Sequence, residues 1–413
     1  MDQTSKDGVV PARPVWGGDP LVKRSQAMVL TLCLWLVALI GSGPWALAAT
    51  LPLNSKAAVL MDYQTGRVLY AYNEHEALPP ASVTKVMTLL LALEAVRDGK
   101  AGLDDLVVTS EYAASMGGTQ IWLEPGERMR LGDLLYAIAV GSANDAAVAV
   151  AEHLGGTEQG FVDMMNAKAK ELGMENTRFA NPSGLPPQTV GKEGPHVTSA
   201  YDIALMSRYA ISLPKFLEYT STWGPVVMRP ETIEKPVLWT YNKMLRSYPG
   251  MDGIKTGMTN EAGYCLAATA VRDGLRLIAV TLGAPTAAAR DADIRRLLDY
   301  GFSLLKAETV AKKGDVLAEV DVVKGREKRL SLVAASDLVV SMSRDDDSLP
   351  ETEIVPARRP VAPIEEGEVL AYLLARLDGE EVGRVPLVAE RSVPKAPAFL
   401  MIGRYFLDIT RLH

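Results

Sequence analysis

The sequence predicts an α+β fold: an antiparallel sheet with a helical cluster, followed by a small all-β domain and a C-terminal amphipathic helix. Three observations predict it. Residues 49–305 have the pattern of a hairpin, several helices, a second hairpin and a closing helix. Residues 306–391 change to short Val/Leu alternations broken by Gly and charged residues. Residues 392–413 hold a linker and then apolar positions at helical spacing.

The composition excludes several classes of protein. Hydrophobic residues make up 48% and charged residues 23% of the 413-residue chain, which rules out a disordered or collagen-like protein. A net charge of −7 argues against nucleic-acid binding. The chain has only two cysteines, which excludes a cysteine-rich zinc site, and its four histidines leave little room for a metal site with histidine ligands. We therefore expect neither a metal nor another cofactor.

Residues 1–48 have the pattern of a secretory signal peptide with a long n-region. Lys23 and Arg24 precede an apolar run over residues 27–40, and Ala46-Leu47-Ala48 supplies the small-x-small pattern that a signal peptidase reads. The run is short for a membrane-spanning helix, although an uncleaved anchor is the alternative. We expect export to the extracytoplasmic face of the cell membrane. Cleavage would remove Cys33 and leave Cys265, which the apolar run around it assigns to the core.

Local patterns predict each element of residues 49–305. Two β-prone runs flank a turn at residues 64–66, which predicts a hairpin over residues 57–72. Residues 83–96 are apolar on nearly all sides, which predicts a buried central helix. Arg272-Asp273-Gly274 joins two more β-prone runs into a second hairpin over residues 263–282. Further helices are predicted over residues 131–140, 145–154, 161–172, 200–211 and 294–305.

The C-terminal residues predict a membrane-associated helix. One face of a helix over residues 399–412 would carry Phe399, Ile402, Tyr405, Phe406, Ile409 and Leu412. Residues 391–413 hold four basic residues and one acidic residue, a local net charge of +3 on an acidic chain. Such a segment is too short to span a bilayer but can lie in the interface of an anionic membrane. The alternative is a terminal helix packed on the protein.

The first chemical motif opens the predicted central helix. Ser82 and Lys85 lie three residues apart, so both side chains face the same side of a helix. A serine hydroxyl becomes a good nucleophile when a neighbouring base takes its proton, and a neutral lysine can be that base. The backbone N–H groups at the start of the helix lie where an oxyanion would form. A serine and a lysine at this spacing also occur by chance.

Two further motifs follow along the chain. Ser142-Ala143-Asn144 lies in a turn between two predicted helices, where it can contribute a hydroxyl and an amide or simply cap the next helix. Lys255-Thr256-Gly257 precedes a strand, where the lysine can hold an anionic group and the glycine lets a ligand approach the edge. The alternative for Lys255 is an exposed lysine on an edge strand. His196, near the loop before Ala200, is a weaker candidate for lining a cleft.

In this order, the three motifs resemble the S-x-x-K, S-D-N and K-T-G set of serine β-lactamases and penicillin-binding proteins, with Ser-Ala-Asn in the middle. Five runs resemble those of low-molecular-mass penicillin-binding proteins, which are serine-type D-alanyl-D-alanine carboxypeptidases: residues 80–88, 141–146, 161–166, 179–185 and 255–265. The resemblance covers about residues 50–413. It implies a transpeptidase-like catalytic domain over residues 49–305.

The resemblance also implies a role for each motif residue. Ser82 would attack the carbonyl of the penultimate D-Ala of a peptidoglycan stem peptide, with Lys85 as general base. Ser142 would relay a proton to the leaving amine, and Asn144 would position the peptide. The resulting acyl-enzyme would be hydrolysed by water, whereas β-lactams would acylate Ser82 and remain bound.

The third motif would bind the substrate's end. Lys255 and Thr256 would hold the terminal carboxylate beside Gly257. The backbone N–H groups of Ser82 and Met258 would form the oxyanion hole. Many relatives have His where this chain has Met258, a change that a backbone donor tolerates. The family often has an arginine ahead of its last helix, and Arg290 is the candidate for it.

Three alternatives stay open. A class A β-lactamase would need a glutamate in a Glu-x-x-Leu-Asn run, which is missing between Glu152 and Glu234. A non-catalytic wall-binding scaffold on the same fold would not be acylated by penicillin. Action as a D,D-endopeptidase on cross-links would use the same chemistry as the carboxypeptidase.

Overall fold

The computed structural model describes residues 51–229 and 236–397. The predicted signal peptide over residues 1–48 and the predicted amphipathic helix over residues 399–412 lie outside the described residues. In the described part, no helix has both the length and the apolar character needed to cross a bilayer.

The first domain alternates strands and helices along the chain. Its strands are β1 (Ala57–Asp62), β2 (Val68–Tyr72), β3 (Leu106–Val108), β4 (Arg128–Arg130), β5 (Val226–Val227), β6 (Val237–Leu238), β7 (Met251–Thr259), β8 (Gly263–Arg272) and β9 (Leu275–Ala284). Its helices are α1 (Lys85–Arg97), α2 (Glu111–Ala114), α3 (Leu131–Ala139), α4 (Asn144–Gly155), α5 (Glu158–Glu171), α6 (Ala200–Ser212), α7 (Phe216–Thr220), α8 (Met244–Ser247) and α9 (Ala287–Leu304). Short 3₁₀ turns cover Ala81–Thr84 and Pro187–Val190.

One antiparallel sheet divides this domain into two cores. Its strand order is β2-β1-β9-β8-β7, so β7 lies at an edge. Every residue of β1 is buried because the sheet is covered on both faces. Ala57, Val59 and Met61 belong to the core formed with the helical cluster. Ala58 and Leu60 face the other way and belong to the core formed with α9. This alternation is the period-two pattern of a strand buried on both sides.

Helix α1 lies inside the helical cluster, as its sequence predicts. Its residues from Lys85 to Glu94 are all buried, and its apolar side chains point in every direction around the axis. The 3₁₀ turn Ala81–Thr84 leads directly into it. Ala81 has a φ of 49°, a left-handed conformation that alanine rarely adopts. The chain therefore enters its central helix through a strained turn.

The second domain is all β. Its strands are β10 (Leu305–Ala311), β11 (Val316–Asp321), β12 (Arg329–Ala334), β13 (Leu338–Ser343), β14 (Glu351–Pro356), β15 (Val369–Leu377) and β16 (Glu380–Ala389). Five of them form a sheet in the order β11-β12-β16-β15-β14, and β10 pairs with β13. A buried hydrogen bond joins the two domains, because Ser341 Oγ donates to Asp62 Oδ1 over 2.9 Å.

The predicted fold class is confirmed for the described residues, with several short elements that were not predicted and two differences that have a clear physical reason. Helix α9 begins at Ala287, seven residues before the predicted start, because the Thr286 hydroxyl accepts the N–H of Ala289 and caps the helix there. Strand β14 was not predicted. It is an exposed edge strand and so lacks the alternating apolar pattern that identifies half-buried strands.

Asp293 of α9 binds Asn54 and Ser55, near the first residue that the structure describes, and its substitution is expected to destabilise the fold. It is fully buried and accepts the backbone N–H groups of Asn54 and Ser55 and the Ser55 hydroxyl. Asp293→Ala would leave these donors unpaired, so we expect the free energy of unfolding to fall by about 3 kcal/mol. Denaturant unfolding measures this free energy, and Asp104→Ala, at a highly exposed aspartate, serves as the control with a change within about 0.5 kcal/mol. A fall of less than about 1 kcal/mol in the free energy of unfolding for Asp293→Ala would contradict this stabilising role of Asp293.

Candidate active site

The first motif places a hydroxyl and an amine in direct contact. Ser82 lies in the 3₁₀ turn Ala81–Thr84, and Lys85 is the first residue of α1. Lys85 Nζ lies 3.1 Å from Ser82 Oγ, within hydrogen-bond distance. Lys85 is fully buried, whereas Ser82 is partly exposed. The turn therefore presents the hydroxyl at a surface while the amine behind it is withdrawn from water.

Two carbonyl oxygens hold the Lys85 amine. Its Nζ donates to Asn144 Oδ1 and to the Ser183 backbone oxygen, each over 2.6 Å. A neutral amine has two N–H bonds and one lone pair, and both of these oxygens can only accept. In the neutral form the two N–H bonds are therefore occupied, and the lone pair is left for the Ser82 hydroxyl. This arrangement can take a proton from Ser82.

Burial and a neighbouring cation favour that neutral form. The pKa of Lys85 is lowered well below its ordinary value of 10.5, first by desolvation and then by the positive charge of Lys255. The carboxylate of Asp145 opposes the shift without cancelling it. A lysine with a lowered pKa is a competent general base near neutral pH.

The second motif lies at the junction of α3 and α4. Ser142 has a φ of 57° and is 4% exposed. Helix α4 begins at Asn144, and its N-cap is Ala143, which makes no side-chain capping bond. The alternative that this motif merely caps a helix is therefore wrong. Instead, the Asn144 side chain accepts from Lys85 and donates from Nδ2 to the Gly117 oxygen over 2.7 Å.

The third motif lies on the edge strand β7, yet its lysine is buried. Lys255 is only 2% exposed, so the alternative of an exposed edge-strand lysine is wrong. Its Nζ donates to the Thr256 backbone oxygen over 3.2 Å, and Thr256 is 7% exposed. Desolvation and the charge of Arg290 lower the pKa of Lys255 to about 7. A bound carboxylate would favour the charged form of this amine.

Gly257 brings β7 against the turn that carries Ser82. A Cβ added at Gly257 would lie 2.7 Å from the Pro80 oxygen and 3.1 Å from the Ser82 nitrogen. Only glycine allows this approach, because both neighbours are backbone atoms. Lys255 lies two residues before Gly257 and so on the same side of the strand. The Met258 side chain is 55% exposed.

Arg290 lies in the first turn of α9 rather than ahead of the helix, which corrects the predicted position. It is 6% exposed and donates to Asp291 Oδ1 over 2.7 Å from Nη2. Its charge lowers the pKa of Lys255, so the two cations belong to one electrostatic environment. Direct contacts therefore join Lys85 to Ser82 and to Asn144. The charge of Lys255 acts on Lys85, and the charge of Arg290 acts on Lys255.

Sequence reasoning missed a buried carboxylate, Asp145, that supports the site. Asp145 is fully buried and accepts the backbone N–H groups of Ile121 and Leu123, each over 3.1 Å. These bonds hold the loop that contains Gly117, which in turn binds Asn144. The acidic residue after the second motif was visible in the sequence, but its partners lie more than 20 residues away.

Sequence reasoning also missed the support behind the nucleophile. A Cβ added at Gly184 would overlap the Ala81 carbonyl, so Gly184 packs directly against the turn. His196, which the sequence offered only as a weak candidate, lies 6% exposed beside it. Its Nε2 lies 2.8 Å from Thr84 Oγ1, and its Nδ1 accepts the Ala180 N–H over 3.0 Å. Desolvation and the charge of Lys85 lower the pKa of His196 to about 4.

Among residues 51–229 and 236–397, no cluster of three or more histidine, cysteine or acidic side chains is arranged to hold a metal ion. Cys265 is buried in β8, and burial raises the pKa of its thiol to about 11.

Comparison with known proteins identifies the family. A family model described as D-alanyl-D-alanine carboxypeptidase matches residues 46–286, more than half of the chain. The chain belongs to this family. A second model, described as the penicillin-binding protein 5 C-terminal domain, matches residues 306–395. The resemblance to low-molecular-mass penicillin-binding proteins is confirmed.

Curated relatives share most of their length with this D-alanyl-D-alanine carboxypeptidase family member. The carboxypeptidase DacF of Bacillus subtilis is 40% identical over 359 residues, which cover 87% of this chain and 90% of the relative. The carboxypeptidase DacC of Escherichia coli is 30% identical over 364 residues, covering 84% and 86%. Both alignments extend well beyond the catalytic domain.

Solved structures agree with this assignment. PBP3 of Streptococcus pneumoniae, described as a peptidoglycan synthesis regulatory factor, has a TM-score of 0.67 and 29% identity, covering 83% of this chain and all of that one. Penicillin-binding protein D2 of Listeria monocytogenes, in its ampicillin-bound form, has a TM-score of 0.54 and 34% identity, covering 61% and 99%. The match to the first spans both domains.

The lowered pKa of Lys85 predicts how acylation of Ser82 by a penicillin depends on pH. The second-order rate constant should rise as Lys85 loses its proton, with a midpoint well below pH 10.5. Lys255→Gln removes a cation that lowers the pKa of Lys85, so that pKa should rise and the midpoint should move to higher pH. Stopped-flow or gel-based labelling across pH measures both.

Lys100→Gln is the control, because Lys100 is highly exposed and lies beyond the C-terminal end of α1, the helix that begins with Lys85. Its midpoint should match that of the parent protein. An unchanged midpoint in Lys255→Gln would show that the two amines are not coupled.

Proposed function

We propose that this protein is a serine-type D-Ala-D-Ala carboxypeptidase that removes the terminal D-alanine from peptidoglycan stem peptides through an acyl-enzyme on Ser82. One observation carries the proposal. The buried Lys85 amine contacts the Ser82 hydroxyl while two carbonyl oxygens occupy its N–H bonds. Membership of the carboxypeptidase family supports the substrate class.

The first half of the reaction forms the acyl-enzyme. Lys85 accepts the Ser82 proton as Oγ attacks the carbonyl carbon of the penultimate D-Ala. The backbone N–H groups of Ser82 and Met258 stabilise the oxyanion that develops. As the intermediate collapses, the proton passes from Lys85 through the Ser142 hydroxyl to the leaving nitrogen. The terminal D-Ala departs, and the carbonyl carbon of the penultimate D-Ala remains bound to Ser82 Oγ as an ester.

The second half releases the shortened peptide. A water molecule attacks the ester carbonyl with Lys85 again accepting the proton, and Ser82 Oγ leaves and is reprotonated. Throughout acylation, Lys255, Thr256 and Arg290 bind the terminal carboxylate of the substrate. The closeness of the two cations supports this role, because the charge of Arg290 lowers the pKa of Lys255.

Two competing functions are less well supported. A β-lactamase of class A needs a glutamate to activate the deacylating water, and the Glu-x-x-Leu-Asn run that would supply it is missing between Glu152 and Glu234. A non-catalytic scaffold would not need a buried amine against a hydroxyl, which carries a desolvation cost. The site is also of the kind that β-lactams acylate, as the ampicillin-bound relative indicates.

We also propose that the protein acts outside the cytoplasmic membrane and is held on its outer leaflet. The signal-peptide pattern of residues 1–48 and the basic amphipathic pattern of residues 399–412 support this location. The substrate class supports it as well, because peptidoglycan is assembled on that side.

Ser82→Ala should abolish both D-Ala release and penicillin labelling, a loss of at least about 1,000-fold, because it removes the nucleophilic hydroxyl that contacts Lys85. Lys85→Arg should be equally inactive, since a guanidinium does not give up its proton. Release of D-Ala from a D-Ala-D-Ala peptide and mass spectrometry after penicillin exposure measure the two activities. Ser303→Ala, at an exposed serine of α9, is the control and should behave as the parent. Turnover near the parental rate in Ser82→Ala would refute the nucleophile.

Deleting residues 399–413 should release the exported protein from membranes and leave its carboxypeptidase activity intact. The deletion removes the apolar positions at helical spacing and two basic residues, the features that support interfacial binding. Fractionation of cells and co-sedimentation with anionic vesicles measure it. Continued membrane association after signal cleavage would contradict the anchor.

A further inference from the structure

The surroundings of His196 fix which of its nitrogens carries the proton. The backbone N–H of Ala180 points at Nδ1 over 3.0 Å, and a backbone N–H can only donate. Nδ1 must therefore hold the lone pair, so the proton of the neutral ring lies on Nε2. That nitrogen lies 2.8 Å from Thr84 Oγ1. His196 thus donates to Thr84.

The Thr84 hydroxyl in turn donates a hydrogen bond to the main chain. Thr84 is fully buried, and its Oγ1 donates to the Ala81 carbonyl oxygen over 2.8 Å. The hydroxyl has one hydrogen, which this carbonyl takes, and it accepts from His196 with a lone pair. Accepting a bond makes a hydroxyl a stronger donor, so the two bonds reinforce each other. A chain of directed bonds runs from the Ala180 N–H to the Ala81 carbonyl.

That carbonyl belongs to the same peptide unit as the Ser82 N–H. The peptide bond is planar and trans, so fixing the direction of the Ala81 C=O also fixes the direction of the Ser82 N–H. The unit needs fixing, because Ala81 has a φ of 49°. Its nitrogen end faces β7, where a Cβ at Gly257 would lie 3.1 Å from the Ser82 nitrogen. In the proposed reaction this N–H is one of the two oxyanion donors.

We infer that His196 is a positioning residue for catalysis: by donating to Thr84 it fixes the Ala81–Ser82 peptide and so aims the Ser82 N–H at the oxyanion. The inference rests on the proposed function, since it assigns a purpose to the oxyanion donor of that reaction. His196 itself touches neither the substrate nor Ser82. Only the neutral ring fits, because a protonated ring would place a second N–H against the N–H of Ala180.

The test compares variants that keep different halves of the imidazole. The amide nitrogen of glutamine reaches the place of Nε2, so His196→Gln keeps the donor to Thr84. The amide oxygen of asparagine reaches the place of Nδ1, so His196→Asn keeps only the acceptor for Ala180. Thr84→Val removes the hydroxyl at nearly constant volume, and Thr84→Ser keeps it. Each variant is measured in the full-length protein for penicillin acylation of Ser82 and for kcat and KM on a D-Ala-D-Ala peptide.

We expect Thr84→Val and His196→Asn each to slow acylation by about 10- to 100-fold, less than the loss of a whole oxyanion donor. The fall should appear in kcat with little change in KM, because an oxyanion donor acts in the transition state. His196→Gln and Thr84→Ser should stay within about fivefold of the parent. The double variant Thr84→Val/His196→Asn should be no slower than either single variant, because both break one chain of bonds.

Thr88→Val is the matched control. Thr88 lies one turn further along α1, is equally buried, and donates to the Pro182 carbonyl over 2.7 Å. It should lower the melting temperature as much as Thr84→Val does and leave the acylation rate within about threefold of the parent. If Thr84→Val does not fold, the comparison of His196→Gln with His196→Asn decides.

Equal slowing by Thr88→Val and Thr84→Val would show a merely structural effect and overturn the inference. So would equal rates for His196→Gln and His196→Asn. A parent protein that penicillin does not label would instead refute the proposed function, so the two failures are distinguishable.

Discussion

The burial of one amine against one hydroxyl is the constraint on which the site depends. Withdrawing Lys85 from water penalises its charged form, and this penalty turns a residue that is normally a cation into a base. A buried amine with unpaired N–H bonds would destabilise the fold, so Asn144 and the Ser183 carbonyl must accept them. Helix α1 is apolar on all sides because it is buried in the helical cluster, and this burial keeps its first residue, Lys85, away from water.

The same constraint explains the backbone around the nucleophile. Ser82 must reach the surface while Lys85, three residues later, stays buried, and the 3₁₀ turn with its left-handed Ala81 achieves this. Two glycines confine the turn, Gly184 on the Ala81 carbonyl and Gly257 at the Ser82 nitrogen. Gly184 also has a φ of 84°, a left-handed conformation that itself favours glycine. Each is needed because the backbone of another segment comes too close for a side chain.

The sequence predicted most of the motif positions and the order of the main elements, because both depend on neighbours within a few residues. The spacing of Ser82 and Lys85 on a helix start is local, and so are the hairpin patterns that became β1–β2 and β8–β9. The bonds of Asp145 and His196 join segments far apart in the chain, which periodicity does not record. Strand β14 escaped prediction for a different reason, since an exposed edge strand has no buried face to mark.

The two buried lysines are linked electrostatically, because the charge of Lys255 lowers the pKa of Lys85. Each is penalised by desolvation, and the charge of Lys255 also disfavours a proton on Lys85. Lys255 has a second cation beside it in Arg290, whereas Lys85 has the carbonyl oxygens and Asp145. In the proposed reaction the substrate carboxylate favours a proton on Lys255, and the charged amine then offsets the negative charge of the carboxylate, which would otherwise raise the pKa of Lys85. Recognition of the substrate's terminal carboxylate and the neutrality of the base at its scissile bond therefore depend on the same two amines.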